Sequence, residues 1–167
     1  RGDRYGHSFH QEVNMSHEHH YELEMEWTGN RGTGTDHYRN YARDHIVRIV
    51  GKPELLGSSD PAFRGDRSRH NPEELLVAAL SACHMLSYLH VCVKNGVVVT
   101  AYTDRATGTL RTIGDGGQMA EVILYPEVTV RDADMVEKVR SLHGEASRLC
   151  FIARSVNFPV LHRPGCK

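Results

Sequence analysis

With 167 residues, the chain can build one sizeable hydrophobic core but not two full domains. Its 40% hydrophobic and 25% charged residues suit an ordinary globular protein, and a net charge of −1 offers no basic field to a nucleic acid. No apolar run of about 18 residues is free of polar breaks and no export signal core opens the chain, so neither a membrane partner nor export is expected, and a cytoplasmic location is.

Residues 1–14 are polar and aperiodic and read as a disordered extension or added segment ahead of Met15. His17, His19 and His20 read as part of a solvated terminus. Residues 21–27 alternate as Y-E-L-E-M-E-W, the pattern of a half-buried strand with Tyr21, Leu23, Met25 and Trp27 inward. The Gly-rich turn that follows carries Arg31 and fits no phosphate-loop spacing. A second strand is expected over 45–50, then a long Gly-, Pro- and Ser-rich connection over 51–70.

Residues 71–94 organise the rest. Asn71 is placed to cap a helix, Pro72 suits its first turn, and Glu74 completes an Asn-x-x-Glu capping box. From Leu75 to Val93 the helix is apolar or small on almost every face, so it is expected to be buried, either as a central core helix or against a second subunit. Gly96 is a stop signal. Beyond it, the sequence predicts a strand over 97–102, a hairpin of 106–113 with 119–124 around GDGG, and an extension of that second strand over 128–131. A second helix is expected with Asp134 and Glu137 as capping box and Val136, Val139, Leu142, Ala146 and Leu149 inward, ending near Cys150. An edge strand over 155–161 closes the chain. This order makes the fold class α+β.

Four widely spaced cysteines, Cys83, Cys92, Cys150 and Cys166, read as reduced thiols rather than a disulfide framework. Taken alone, each is a core or tail cysteine. No zinc-ligand spacing appears, although His84, His143 and His162 are candidates to converge near Cys83 or Cys150.

The string NPEELLVAALSAC, with Cys150 later in SRLCFIARSVN, resembles the OsmC/Ohr family, the osmotically inducible protein C and organic hydroperoxide resistance proteins. The spacing from Glu73 to Cys83 is the family's, and Arg31 in GNRG fits its catalytic arginine, with Arg39 and Arg43 as competing candidates. His84 stands where many relatives have Phe, and the longer, polar 31–70 stretch resembles a less characterised OsmC-like branch. The resemblance implies one OsmC-like domain over 15–167, with antiparallel sheets wrapped around a long buried central helix in an intertwined homodimer. It implies no cofactor and no metal. It implies a peroxidase in which the Cys83 thiolate reduces an organic hydroperoxide, Arg31 stabilises that thiolate, Glu73 orients Arg31, and Cys150 closes a disulfide. The implied partners are the hydroperoxide and a dithiol reductant, a lipoyl protein or a thioredoxin-like one. The alternative is a non-catalytic small-ligand-binding protein on the same scaffold.

Helix geometry adds a constraint. Ten residues separate Glu73 from Cys83, about 15 Å along one helix and roughly 80° in rotation, so the two cannot meet within one continuous helix. If both serve one site, either Glu73 reaches the Cys83 of another chain or the helix breaks, and the simplest solution is a two-fold dimer with antiparallel central helices.

Overall fold

The computed structural model describes residues 17–166. The extension over 1–14 and the start at Met15 lie outside the described residues. The described residues run through nine strands and two α-helices: β1 Glu24–Trp27, β2 His45–Arg48, β3 Leu55–Gly57, α1 Pro72–Lys94, β4 Val99–Asp104, β5 Thr107–Ile113, β6 Gly116–Leu124, β7 Pro126–Val130, α2 Val136–Leu149, β8 Val160–His162 and β9 Gly165–Cys166. Three three-stranded sheets result, ordered β1-β2-β3, β4-β7-β9 and β5-β6-β8. The fold is α+β, as expected. Hairpin partners pair antiparallel, while the late strands β8 and β9 add parallel to β6 and β7, so the sheets are mixed.

α1 begins as its sequence dictates. The Asn71 side chain accepts from the Glu74 N–H at 2.8 Å, and the Glu74 carboxylate accepts from the Asn71 N–H at 3.2 Å, so the capping box is closed. The helix is unbroken for 23 residues and ends at Asn95, with Gly96 just beyond at φ 70°. By length and apolarity alone it could cross a bilayer, but its polar rungs pack against α2 and the sheets.

Five α1 residues are buried, Leu80, His84, Tyr88, Val91 and Cys92. They seat the helix between two apolar clusters. One gathers Tyr88, Val91 and Cys92 with Val128, Val139, Leu142 and Ala146; the other gathers Leu80 with Met119, Val122 and Leu124. The opposite stripe of α1, Ala79, Ala82, Leu86 and Val93, is exposed. Burial on every face is therefore not achieved by the described residues of one chain.

The first sheet shows the same deficit. The predicted alternation is present in the sequence, but Tyr21, Leu23, Met25 and Trp27 are 92, 60, 57 and 43% exposed, because none of the described residues covers that face. Only 24–27 of the predicted 21–27 pair as a strand.

Other expectations shift for local reasons. The 51–70 connection holds β3 and a 3-10 turn at Pro61–Phe63 capped by Asp60. The predicted extension of the hairpin past Pro126 is a separate strand. Pro126 opens β7, and the chain changes sheets at Tyr125, whose N–H is taken by Asp104 at 2.7 Å. The Asp134–Glu137 capping box does not form. A 3-10 turn over Ala133–Met135 precedes α2, and Asp134 lies within that turn rather than ahead of the helix. The closing strand spans 160–162 rather than 155–161, since Ala153–Ser155 is a further 3-10 turn.

Candidate active site

Cys83 is half-buried on α1, and Cys150 is buried at the C-terminal cap of α2. The two sulfurs are neighbours and both are free thiols. The pairing follows from the way the two helices pack. On α2, Val139, Leu142, His143 and Ala146 recur at helical spacing and Cys150 continues the stripe, so one face meets α1 along its length. The Tyr88 hydroxyl donates to the Val139 carbonyl at 3.0 Å, and His84 Nε2 meets His143 Nδ1 at 3.0 Å. As the α1 number falls the α2 number rises, so the helices run antiparallel and the thiol pair lies beyond the histidine pair.

Burial, above all, and then the adjacent Cys83 push the Cys150 thiol up to about 11, against the Ala153 N–H that donates to its sulfur at 3.4 Å. Cys150 is therefore a protonated thiol at neutral pH.

Glu73 is half-buried in the first turn of α1, where it lines a cavity of about 510 Å³ shared with Asn71, Val77, Ser81, Asp104, Leu110 and Met119. Cys83 is not among the residues lining that cavity. The helix between Glu73 and Cys83 is continuous, so one chain holds them a helix segment apart. Ser81 and Asp104 were not legible as site residues from the sequence. Ser81 donates to Asp104 at 2.5 Å, which fixes the carboxylate at the cavity wall from the far end of β4. A serine two residues before Cys83 and an aspartate closing a strand give no local signal of their meeting.

Arg31 sits at the tip of the turn after β1 and is exposed. That turn is well built. The Asn30 side-chain Oδ1 accepts from the N–H groups of Gly32 and Gly34, both at positive φ, and the Trp27 indole donates to the Ala42 carbonyl at 2.8 Å. Of the competing arginines, Arg43 is committed to the turn itself. It donates to the carbonyls of Tyr41 and Tyr38 at 2.6 and 2.8 Å and lies over both rings. Arg39 is exposed on the same loop. Among the described residues, no hydrogen bond or ion pair joins Arg31, Arg39 or Arg43 to Cys83 or Glu73.

His84, His143 and His162 do converge, near the thiol pair. They converge as packed rings: His162 lies 4.2 Å from His84, centroid to centroid, with the rings tilted by 38°, and His143 stacks on Tyr88 at 3.9 Å. Among the described residues, no three His, Cys, Asp or Glu side chains are arranged to hold a metal ion. Burial pushes His84 down to about 3 and His143 to about 4, and lowers His162 as well, so the cluster is neutral. Cys92 is buried beside Tyr88, and Cys166 is half-buried against the same cluster.

The family model for OsmC-like protein matches residues 65–162. Among solved structures, the chain is similar to an OsmC-like protein of unknown function from Vibrio cholerae O1 biovar eltor, at 29% identity and a TM-score of 0.78, covering 88% of this chain and 99% of that one. It also resembles an organic hydroperoxide resistance protein from Elizabethkingia anophelis with thiocyanate bound, at 18% identity and a TM-score of 0.64 over 90% of this chain and 99% of that one. A third likeness is to an organic hydroperoxide resistance protein OsmC from Legionella pneumophila, at 14% identity and a TM-score of 0.63 over 91% and 99%. No protein of curated function matches the chain in sequence.

Proposed function

The chain belongs to the OsmC-like protein family, and we propose that within it this protein is a cytoplasmic thiol peroxidase acting on organic hydroperoxides. One observation carries the reading: two reduced cysteines from different helices, 67 positions apart in the chain, stand side by side as Cys83 and Cys150.

The chemistry proceeds in two steps. The Cys83 thiolate attacks the terminal oxygen of the hydroperoxide; the O–O bond breaks, Cys83 becomes a sulfenic acid, and the alkoxide leaves as an alcohol after taking a proton. Cys150 then displaces the sulfenic hydroxyl, water is released and the Cys83–Cys150 disulfide forms. An external dithiol, on a lipoyl or thioredoxin-like protein, returns both sulfurs to thiols and is itself oxidised.

The thiolate needs a fixed cation, and Arg31 paired with Glu73 fills that role in this reading. The supply is intermolecular. Glu73 and Cys83 are held apart on one helix. The stripe of Ala79, Ala82, Leu86 and Val93 and the apolar face of the first sheet are uncovered. Both support a two-fold dimer in which α1 packs against its partner copy and each site takes Cys83 from one chain and Glu73 from the other.

The test is thiol titration after one equivalent of cumene hydroperoxide. Rapid loss of two thiols per chain, abolished by Cys83→Ser, is the expected result. Slow and equal loss from all four cysteines overturns the peroxidase reading and favours a small-ligand-binding role for the cavity beside Glu73.

A further inference from the structure

The core carries a polar rung that the proposed chemistry does not use. His84 is fully buried and His143 nearly so, at 0 and 4% exposure, and each bonds the other ring to ring at 3.0 Å. Among the described residues they have no other hydrogen-bond partner: His84 Nδ1 and His143 Nε2 are buried without one, as is His162 Nε2 beside them. A neutral imidazole carries one N–H. If His84 donates through Nε2, the Nε2–H of His143 is stranded; if His143 donates through Nδ1, the Nδ1–H of His84 is stranded. Either tautomer leaves one buried donor unsatisfied, which an apolar pair would avoid. A contact that costs stability in this way is set apart from ordinary core packing.

Its place explains what it does. His84 directly follows Cys83 on α1, and His143 lies two turns before Cys150 on the same face of α2. The histidine contact is thus the directional bond next to the thiol pair at the α1–α2 interface. Dispersion contacts of this interface, such as those of Val91 and Ala146, tolerate sliding of one helix along the other; a ring-to-ring hydrogen bond does not, and it stands closer to the thiols than the Tyr88–Val139 hydrogen bond that also joins the two helices.

We propose that the His84–His143 hydrogen bond is a positioning device that sets the register of α1 against α2 and so holds Cys83 and Cys150 at closing distance. It rests on the reading of these two cysteines as a pair that closes. Neither histidine touches the reacting sulfurs in this role; both act through the helices that carry them.

The test uses equilibration with glutathione, which needs no hydroperoxide turnover. The Cys83 thiolate attacks glutathione disulfide and releases one glutathione; Cys150 displaces the second. The chain gives up two electrons and two protons, and two glutathiones are formed per disulfide closed. The effective concentration of Cys150 at Cys83 is read from the ratio of closed to open protein. His84→Leu/His143→Leu is expected to lower it by tenfold or more while the melting temperature holds or rises. His143→Asn, whose side-chain amide places a polar atom near the position of Nδ1, is expected to stay within threefold of the parent chain and thereby also serves if the double variant does not fold. An unchanged effective concentration in the double variant overturns the proposal. So does a loss in the Asn variant as large as that of His143→Leu, or a parent chain that closes no Cys83–Cys150 disulfide. Failure of peroxide-driven thiol loss, with the glutathione result intact, would instead overturn the peroxidase reading alone.

Discussion

Glu73 and Cys83 stand on one unbroken helix, ten positions apart, with the cavity beside the first and the partner thiol beside the second. Everything the proposed chemistry asks of them together must therefore come from two chains. Mixing provides the check. Glu73→Ala and Cys83→Ser homodimers are each expected to be inactive. Refolded together at equal amounts, half of the dimers are mixed and each of these holds one intact site, so activity should return to about a quarter of the parent value. Hydroperoxide consumption measured before and after mixing reads this, and no recovery argues against a shared site.

The uncovered stripe on α1 makes a second expectation. Leu86 is 62% exposed and Val93 77% exposed on the face of α1 turned away from the core. A charge at the centre of such a stripe would be desolvated without a partner on association. Leu86→Glu is expected to weaken self-association by at least a hundredfold, seen as monomer in sedimentation velocity, while leaving the single-chain core unaltered. A dimer of unchanged strength would place the interface elsewhere.

Acid stability follows from the buried histidines. In the fold, His84 is held down to about 3 and His143 to about 4 by burial, with His162 lowered too; in the unfolded chain each returns to about 6.5. Between these limits the unfolded chain binds more protons than the folded one, so stability rises with pH across the window. It is complete above about pH 6.5 and is lost as the pH falls toward 4. Two histidines together give a slope of up to ~2.7 kcal/mol per pH unit in the steepest part. Urea unfolding at intervals from pH 7.5 to 4.5 measures it. The His84→Leu/His143→Leu chain should show a distinctly flatter curve.

The start of α1 can be tested independently of the site. Asn71 is 6% exposed and its side chain satisfies the Glu74 N–H at 2.8 Å. Asn71→Ala is expected to cost about 1 kcal/mol, and Asn71→Asp, which keeps the acceptor and adds a charge favoured at a helix N-terminus, much less. Thermal denaturation of the two variants side by side distinguishes loss of the cap from loss of volume.

Local chemistry made much of this protein readable in one dimension. The capping box at Asn71, the continuous apolar α1, the hairpin of β5 and β6 and the helical spacing of Val139, Leu142 and Ala146 each depend on neighbours within a few residues, and all are present. Glu73 and Cys83 were legible as a pair that cannot meet, because helical rise and rotation are the same for any sequence. What depended on the tertiary structure were encounters between distant segments. These are Asp104 against Ser81, the turn from β6 into a different sheet at Tyr125, Cys150 against Cys83, which was expected only through the family resemblance, and the contacts among His84, His143 and His162, which were named only as candidates to converge. None of these has a local signature, since a side chain's partner is chosen by the packing of whole helices and strands. The apolar faces of α1 and of β1 mark the other limit: periodicity shows that a surface must be buried, but only the folded chain shows that its described residues leave that surface uncovered.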